Sequence, residues 1–451
     1  MNGTTVAPID ARQLRTLLGS PYQGYAYSYP HKSAYRPLMP PRPLADVWRH
    51  EDMAKAGVYV HIPFCEMRCG FCNLFTAANA PGDAVERYLS AVERECDAAA
   101  EAIGPFLAKS LTVGGGTPTF LDARQLERLF DLLTARLGCD AAAVPAMVET
   151  SPKTATAERL GVLASVGVDR VSIGAQSFIE AETKALGRPQ KTRDLTRALD
   201  AIRSLPFSSL NIDLIYGAAP QTPESWRNSL REALRWSPDE IFLYPLYVRP
   251  LTGLDGRAET WDAHRLSLYR TGRDFLLAEG YTQISMRMFR RASGEQAAGS
   301  ADGEAGWPHE ALLGLGCGAR SRTSGLHYST AFAVGRAAVL SIIGAYCGSS
   351  RADFGAIRYG VALDRDAQMR RAVLRSVLSR PGLDLARFEA RFGVSAIDYL
   401  PELAALADLG MLEISGGCLV PTASGFERAD AIGPLLYAPH IKSHMKAFEL
   451  R

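Results

Sequence analysis

The chain has 451 residues, enough for about two or three domains with a large apolar core. Its 50 lysines and arginines nearly balance 48 aspartates and glutamates, so no overall field would recruit nucleic acid or an acidic membrane. No apolar run reaches the roughly 18 residues that span a bilayer, and the N-terminus lacks the charged and apolar regions of a signal peptide. We therefore expect a cytoplasmic protein that binds neither nucleic acid nor membrane.

Residues 1–50 are predicted to form an N-terminal arm. The stretch 20–45 is rich in aromatic residues and proline and has no regular period. Such an arm can pack against the following domain, or it can cover a substrate as a lid. The candidate lid residues are Tyr27, Tyr29, His31 and Lys32.

Three cysteines, Cys65, Cys69 and Cys72, follow the apolar run Val58–Ile62 with the spacing C-x3-C-x2-C. The run predicts a short strand that leads directly into the cysteine loop. Soft thiolates select iron–sulfur, zinc or Cu(I) sites, and a closed structural zinc site needs four ligands. Three cysteines therefore indicate a metal site with an open position. The alternatives are scattered structural thiols, or a zinc site that His61 completes.

From residue 57 to about 245, short apolar runs alternate with amphipathic stretches, which predicts βα units and a parallel sheet. The predicted strands are Val58–Ile62, Ser110–Val113, Ala146–Glu149, Arg170–Gly174, Leu210–Ile215 and Glu240–Tyr244. The predicted helices are Val85–Ala102, Ala123–Leu137, Thr154–Ser165, Asp194–Ser204 and Ser225–Trp236. Six such units make a partial (β/α)6 barrel of the α/β class, and its site is expected at the carboxyl ends of the strands.

Glycines and polar residues fall where these strands are predicted to end. The run Gly114–Thr119, Gly-Gly-Gly-Thr-Pro-Thr, follows the second strand, and glycines let a ligand approach backbone amides closely. Glu149 ends the third strand, and Gln176 lies just beyond the fourth. Arg188 follows in a loop, and Asp213 lies within the fifth strand. Four polar residues at successive strands indicate a cradle for a polar ligand.

These blocks resemble the radical SAM superfamily, and within it the coproporphyrinogen III oxidase-like (HemN-like) class. The motifs that carry the resemblance are Tyr59-Val-His-Ile-Pro-Phe-Cys65, Gly114–Thr119, Ser172–Gln176, Leu186–Arg188 and Asn211–Gly217. The resemblance implies a TIM-like radical SAM barrel over residues 51–290. It also implies a barrel extension over 291–366 and a small, mostly helical, winged-helix-like C-terminal domain over 367–451. The stretch Ala292–Trp307 is rich in glycine, alanine and serine, which predicts a flexible surface loop.

The resemblance further implies the cofactors and the residues that hold them. Cys65, Cys69 and Cys72 would bind a 4Fe-4S cluster, and its open iron would bind S-adenosylmethionine (SAM), with room for a second SAM. Tyr59 would approach the sulfonium end of SAM and act with the three cysteines in catalysis, and Phe71 would lie near the adenine. The other implied SAM contacts are Gly115, Gly116, Thr117, Glu149, Gln176, Arg188 and Asp213.

In such enzymes, one electron from the reduced cluster cleaves SAM to methionine and a 5′-deoxyadenosyl radical, which abstracts hydrogen from a small-molecule substrate. We therefore expect reduced flavodoxin or ferredoxin as electron donor. We also expect a monomer, and the resemblance leaves room for a partner enzyme of the same biosynthetic pathway.

Two departures bear on the reaction. The true oxidases resemble C-x3-C-x2-C-x-C, whereas Leu74 stands here at the last position, and their arginine-containing arm is replaced by Tyr25-Ala-Tyr-Ser-Tyr-Pro-His31. We therefore expect methyl or methylene transfer, as C-methylation or cyclopropanation, on a small aromatic or conjugated molecule. The alternatives are oxygen-independent oxidative decarboxylation of coproporphyrinogen III in haem biosynthesis, and a haem chaperone.

Overall fold

The computed structural model describes residues 11–24, 29–80, 82–104, 108–254, 262–291 and 311–449. Tyr27 and the predicted loop Ala292–Trp307 lie outside these residues. The chain divides into two compact units. The smaller unit comprises Met1–His31, Trp261–Pro308 and Asp364–Ser443, and the larger unit comprises Lys32–Thr260, His309–Leu363 and His444–Arg451. The continuous domain boundaries suggested by the sequence stay predictions.

The strands are numbered β1 to β18 in chain order. The larger unit contains β1 (Arg36–Pro43), β2 (Gly57–Ile62), β3 (Phe64–Cys65), β4 (Ala77–Ala78), β5 (Ser110–Gly115), β6 (Ala146–Thr150), β7 (Arg170–Gln176), β8 (Ser209–Tyr216), β9 (Glu240–Pro245), β12 (Leu312–Leu315), β13 (Arg320–Arg322), β14 (Leu326–Ser329) and β15 (Ala356–Ala362). The smaller unit contains β10 (Tyr281–Gln283), β11 (Met288–Arg291), β16 (Leu383–Asp384), β17 (Leu412–Ser415) and β18 (Cys418–Pro421).

Six parallel strands form the centre of the sheet in the larger unit, in the order β2-β5-β6-β7-β8-β9. On the other side of β2, β12 adds a further parallel strand. The antiparallel strands β13, β14, β15 and β1 then extend the sheet. The α/β class and the six predicted strands are confirmed. Each observed strand begins and ends within two residues of the predicted positions.

The helices alternate with the parallel strands in the larger unit and predominate in the smaller one. They are α1 (Ala11–Leu17), α2 (Leu44–Trp48), α3 (Ala84–Ile103), α4 (Ala123–Leu137), α5 (Ala157–Ser165), α6 (Glu180–Ala185), α7 (Thr192–Arg203), α8 (Pro223–Leu234), α9 (Asp262–Ala278), α10 (Arg336–Gly348), α11 (Arg351–Phe354), α12 (Arg365–Ser376), α13 (Leu385–Phe392), α14 (Ala396–Tyr399), α15 (Pro401–Asp408), α16 (Ala423–Glu427), α17 (Ala429–Leu435) and α18 (Pro439–Lys446). Among the described residues, no helix is both long and apolar enough to cross a membrane.

Local sequence explains where the barrel helices begin and end. Asp122 caps α4 in a capping box with Gln125, since each side chain accepts a hydrogen bond from the other residue's backbone N–H, at 2.9 and 3.1 Å. The same helix ends at Gly138, whose left-handed φ of 65° favours glycine. Helix α5 begins at Ala157 rather than at the predicted Thr154, because Thr156 caps it by accepting a hydrogen bond from the Arg159 N–H.

The smaller unit is built mainly from helices of the C-terminal region. A three-stranded sheet in the order β16-β18-β17 accompanies them, and β10 and β11 form an antiparallel hairpin. The side chains of Arg287 and Asp430 form an ion pair that is almost completely buried. The predicted small, mostly helical C-terminal domain is confirmed as a fold, whereas no sequence pattern indicated its buried ion pair.

Candidate cofactor site at the carboxyl ends of the parallel strands

The three cysteines lie on one loop that two short strands close. Strand β2 leads into β3, which ends at Cys65, and β3 pairs in parallel with β4, so that Cys65 lies opposite Ala78. Between these strands, the N–H of Cys72 donates to the carbonyl oxygen of Cys69 at 3.1 Å. Cys65 is buried, whereas Cys69 and Cys72 are partly exposed. The sequence-predicted triad is therefore gathered at the carboxyl end of the first barrel strand.

The glycine run after β5 is fixed against this loop by its backbone. Gly116 N–H donates to the carbonyl oxygen of Ile62 and Thr117 N–H to that of Phe64, both at 2.8 Å. The Thr117 hydroxyl lies 3.5 Å from the sulfur of Cys65. A Cβ atom at Gly116 would lie 2.8 Å from that sulfur and 2.6 Å from the Phe64 carbonyl oxygen. Only glycine permits this close contact between the run and the cysteine loop.

A second loop packs on the other side of the cysteines. Gly70 N–H donates to the carbonyl oxygen of Gly187 at 3.1 Å, and a Cβ atom at Gly70 would lie 2.8 Å from the carbonyl oxygen of Leu186. This contact places Arg188 near Cys69. Burial raises the pKa of the Cys69 thiol to about 11, and the positive charge of Arg188 opposes that rise.

Burial also raises the pKa of the Cys65 thiol to about 12, against the hydrogen bond from Thr117. Cys65 and Cys69 are therefore protonated at neutral pH until a metal displaces their protons. Metal loading at this loop should release protons, because the thiolate is the ligand.

His61 is not available as a fourth ligand. One ring nitrogen, Nδ1, lies 3.1 Å from the Tyr59 hydroxyl, and the other, Nε2, lies 2.9 Å from the carbonyl oxygen of Phe75. Burial lowers the pKa of His61 to about 3, so the ring is neutral, with Nε2 donating to Phe75 and Nδ1 accepting from Tyr59. Both ring nitrogens are already hydrogen-bonded, which argues against a zinc site completed by His61.

The spacing of the thiols also disfavours a single zinc ion. Within the described part of the chain, the set of three donor residues whose ligand atoms all lie within 4.8 Å of one another is Asp364, Asp366 and His440. At least one pair of the three sulfurs is thus more than 4.8 Å apart, whereas zinc–sulfur bonds of about 2.3 Å bring the donors of one zinc ion closer together. Soft thiolates with a wider spacing and no fourth protein ligand fit an iron–sulfur cluster.

A row of polar side chains continues from the glycine run across the neighbouring strands. The pairing places Glu149 beside Ser172, and Ser172 beside Asn211, so the three share one face of the sheet. The Glu149 carboxylate accepts from the N–H of Gly115 at 3.0 Å. The Tyr59 phenol lies near the Glu149 carboxylate. Burial raises the pKa of Tyr59, and the negative charge of Glu149 raises it further.

Asp213 belongs to the same polar face. Asn211 Nδ2 donates to the Asp213 carboxylate at 2.7 Å and to the Ser172 hydroxyl at 2.8 Å, and that hydroxyl donates to Asp213 at 3.3 Å. The Oδ1 atom of Asn211 is buried and has no hydrogen-bond partner. A buried acceptor of this kind can take a hydrogen bond from a bound ligand.

Gln176 and Arg188 meet over the backbone of Gly174. A bulge interrupts the pairing of β7 with β8 between Gly174 and Gln176, and Gln176 has a φ of 65°. Positive φ is costly for a non-glycine residue and is found at ligand-binding sites. A Cβ atom at Gly174 would lie 2.6 Å from Gln176 Nε2 and 3.1 Å from Arg188 Nη1. The site thus has two donor side chains close together over Gly174, which has no side chain of its own.

Two other predicted residues, Phe71 and Tyr29, belong to different units of the chain. Phe71 is partly exposed between the second and third cysteines. In the arm, Tyr29 belongs to the smaller unit, where its ring lies 4.8 Å from that of Tyr437 and its hydroxyl accepts from the N–H of Ala438. The role of the arm as a lid stays a prediction.

The sequence analysis did not single out three residues of this region. Asn211 precedes Asp213 by two positions in a strand, so the alternation of side chains could have identified it. Ser172 likewise lies on the polar face. Glu66 accepts from the Ser151 hydroxyl at 2.8 Å, while its second carboxylate oxygen is buried without a partner. No sequence pattern marks Glu66 apart from its place beside Cys65.

Comparisons with known proteins agree with this geometry. Residues 59–233 match the model of the radical SAM superfamily, and residues 363–427 match that of the HemN C-terminal domain. The chain is 29% identical over 397 residues to an oxygen-independent coproporphyrinogen III oxidase of Pseudomonas aeruginosa, covering 83% of this chain and 84% of that relative. It is also 29% identical over 273 residues to the heme chaperone HemW of Bacillus subtilis, covering 59% of this chain and 71% of that relative.

Among solved structures, coproporphyrinogen III oxidase (HemN) from Escherichia coli, a radical SAM enzyme, is similar with a TM-score of 0.73 and 26% identity. The similarity covers 87% of this chain and 92% of that one. Radical SAM proteins use a 4Fe-4S cluster and SAM, and the thiols and polar face described above fit both. The chain therefore contains a radical SAM domain over residues 59–233 and a HemN C-terminal domain over residues 363–427, and over most of its length it is similar to coproporphyrinogen III oxidases of the HemN-like class.

Proposed function

We propose that this protein cleaves SAM reductively and directs the resulting radical at a tetrapyrrole. The observation that carries the proposal is the contact of the three-cysteine loop with the glycine run at Gly116, next to a continuous polar face. The choice of a tetrapyrrole as substrate is supported by both kinds of relative, the coproporphyrinogen III oxidases and the heme chaperones.

Each group of residues has a proposed task. Cys65, Cys69 and Cys72 would hold the cluster, which with bound SAM supplies a 5′-deoxyadenosyl radical. The Gly115–Thr117 backbone and Glu149 would orient the amino-acid part of SAM. The donors of Gln176 and Arg188 would bind its carboxylate, because Arg188 presents a planar pair of N–H groups to an anion. Asp213 and Asn211 would accept hydrogen bonds from the ribose hydroxyls.

Tyr59 and His61 would close the inner end of the site. The hydrogen bond between them holds the phenol in one orientation, and the neutral imidazole adds no charge beside the reacting atoms. His61, Cys65 and Thr117 are buried, which would help to keep water away from a radical step at this end of the site. Reduced flavodoxin or ferredoxin is the proposed electron donor, and the proposed oligomeric state is a monomer.

Among the candidate reactions, the comparisons favour the reaction type of the oxidase relatives of this chain. We therefore propose oxidative decarboxylation of a tetrapyrrole propionate as the first candidate reaction. Hydrogen would be abstracted from the propionate side chain, carbon dioxide would be lost, and the one remaining electron would pass to an external one-electron acceptor, which leaves a vinyl group. Haem chaperoning, as suggested by the HemW relatives, is the alternative without turnover. Methyl transfer, the reaction we expected from the sequence, receives no support from these relatives.

One observation retains methyl or methylene transfer as a second candidate. Leu74 stands where the oxidase motif has a fourth cysteine, and its side chain is 54% exposed. A leucine cannot supply the thiol of that motif, so the chain lacks one feature of the oxidases. In this second candidate, a second SAM would donate its methyl carbon to the conjugated ring.

The experiment that separates these candidates uses SAM deuterated in its methyl group, with dithionite as reductant and coproporphyrinogen III or haem as substrate, under anaerobic conditions. Decarboxylation predicts carbon dioxide and unlabelled 5′-deoxyadenosine. Methyl transfer predicts label both in the product and in 5′-deoxyadenosine. A chaperone would bind haem stoichiometrically and give neither product. Substrate-independent cleavage without tetrapyrrole binding would contradict the proposed function.

A further inference from the structure

Glu66 directly follows the first of the three cysteines and carries a carboxylate that is only half satisfied. One oxygen, Oε1, accepts a hydrogen bond from the Ser151 hydroxyl at 2.8 Å. The other, Oε2, is buried and has no hydrogen-bond partner. Within the ranges that the structure describes, Glu66 forms no ion pair. A buried carboxylate oxygen without a partner is unfavourable and calls for an explanation.

A chain of buried hydroxyl groups holds this carboxylate against the cysteine loop. The Ser151 hydroxyl lies 2.9 Å from that of Thr154, which lies 2.6 Å from that of Thr119. All three residues are buried. Thr119 belongs to the run that follows β5, in which the Thr117 hydroxyl lies 3.5 Å from the Cys65 sulfur. These contacts close a ring that begins at Cys65 and returns to the carboxylate of the next residue.

The carboxylate is therefore a fixed negative charge close to the thiols. Consecutive Cα atoms are about 3.8 Å apart, so the distance from the Cys65 sulfur to the Glu66 carboxylate is at most on the order of 10 Å. The next cation along the loop, Arg68, donates instead to the carbonyl oxygens of Leu251 at 3.1 Å and Val334 at 2.7 Å. Charges of buried groups are weakly screened, so this one acts on a cluster bound to the loop.

The electrostatics of the thiols agree with this geometry. Burial is the main cause that raises the pKa of the Cys65 and Cys69 thiols, and the negative charge of Glu66 raises both pKa values further. The carboxylate thus opposes added negative charge at two of the three cysteines. Reduction of a cluster adds one negative charge, and nearby charge is one of the factors that set the potential of a cluster.

We propose that the Glu66 carboxylate lowers the reduction potential of the cluster bound by Cys65, Cys69 and Cys72, and so makes the reduced cluster a stronger electron donor to SAM. This inference rests on the proposed function, because it concerns the cluster assigned to these cysteines. One electron still passes from the external donor to the cluster and then to SAM. Glu66 itself gains or loses neither an electron nor a proton.

The test measures the midpoint potential of the reconstituted cluster, without SAM or tetrapyrrole and at one fixed pH. A redox titration is followed by the electron paramagnetic resonance signal of the reduced cluster. Glu66→Gln removes the charge and keeps an oxygen that can accept from Ser151. Its midpoint potential should shift to a more positive value than that of the parent, while its iron content stays the same.

Three further variants complete the design. Glu66→Ala also removes the charge and should shift the potential in the same direction. Glu66→Asp keeps the charge and should lie closer to the parent than either of these variants. Glu101→Gln is the matched control, because Glu101 lies in the last turn of α3 with a side chain that is 69% exposed. Its charge is screened by solvent, so the potential should equal that of the parent.

The proposal is overturned if removal of the charge leaves the potential unchanged or makes it more negative. An equal shift in Glu66→Asp or in Glu101→Gln would also overturn it, since the shift would then not follow the charge at this position. Loss of iron from both Glu66→Gln and Glu66→Ala would make Glu66 a purely structural residue. If the reconstituted parent binds no cluster, the proposed function fails and the inference fails with it. If the parent binds a cluster and cleaves SAM but Glu66→Gln has the same potential, the inference fails alone.

Discussion

Arg188 and Asp213 are two charged side chains of the proposed SAM site, and their loss should separate cofactor binding from cluster assembly. Neither is a thiol, and each lies on a different segment from the cysteine loop. Arg188→Ala or Asp213→Ala should weaken SAM binding by roughly 1–3 kcal/mol, because a buried polar partner would be left unsatisfied. Iron content should stay normal. Calorimetric titration with SAM measures the first quantity and iron analysis the second.

Arg193→Ala is the matched control for Arg188, since the Arg193 side chain is 77% exposed. It should bind SAM like the parent. Unchanged SAM affinity in both Arg188→Ala and Asp213→Ala would mean that these side chains have been assigned to the wrong task.

Glu95 should make stability depend on pH. Burial raises the pKa of its carboxyl from 4.5 to about 7, although hydrogen bonds from the Tyr346 hydroxyl and the Gly316 N–H oppose the rise. The folded protein therefore holds a proton that the unfolded chain releases between about pH 4.5 and 7. Stability from this group is present at low pH and is lost as the pH rises through that window.

This prediction is checked by measuring the melting temperature of the anaerobic holoenzyme from about pH 5 to about pH 8. Glu95→Gln should show a smaller decline with rising pH than the parent, because glutamine does not titrate. An equal decline in both proteins would assign the pH dependence to other groups.

The glycine run and the cysteine loop form one structural element whose contact cannot accept a side chain. Gly116→Ala should displace the loop, since its Cβ atom would lie 2.8 Å from the Cys65 sulfur. We expect a loss of about 1–3 kcal/mol in stability, typical of overpacking, and a reduced iron content after reconstitution. Iron analysis and thermal denaturation measure the two effects.

Gly161→Ala is the control within the same barrel. Gly161 lies in α5, and a Cβ atom there would have nothing within 4 Å. Alanine should be neutral or stabilise the helix by up to about 1 kcal/mol. Equal iron content in Gly116→Ala and the parent would show that the loop tolerates the added atom.

Elements with a regular apolar period could be predicted closely, and those formed against their local preference could not. The β2 run Val58–Ile62 is apolar and bounded by a cysteine loop, so its strand was predicted to within one residue. Strand β1 contains four prolines in Arg36–Pro43 and pairs only through a shifted register. Proline removes a hydrogen-bond donor, so the sequence of β1 argues against the strand that pairing with β15 nevertheless forms.

The bulge at Gln176 shows the same limit within the site. Sequence placed this residue just beyond the fourth strand, whereas it ends β7 with a positive φ. This conformation coincides with the irregular pairing of β7 with β8 between Gly174 and Gln176, and no local pattern around Ser172–Gln176 indicates it. The residues of the site could thus be named from motifs, but the way Gln176 and Arg188 meet over Gly174 required the sheet.

At the scale of the molecule, contacts between distant parts of the chain are what sequence analysis missed. Strand β12, more than two hundred residues after β2, pairs directly with it and brings Gly314 opposite Tyr59. Lys32 reaches Gly318 from the N-terminal arm in the same way. Such pairings depend on the completed sheet, so neither the contact of β12 with β2 nor that of Lys32 with Gly318 could be inferred from spacing.

The most direct test of the account is anaerobic formation of 5′-deoxyadenosine from SAM with dithionite. The reconstituted parent should contain iron, absorb visible light and form 5′-deoxyadenosine, whereas a variant with Cys65, Cys69 and Cys72 all changed to alanine should do none of these. Cys96→Ala and Cys139→Ala, which alter thiols buried elsewhere in the fold, should retain all three properties. Formation of 5′-deoxyadenosine by the triple variant would contradict the assignment of the cluster to these cysteines and, with it, the proposed mechanism.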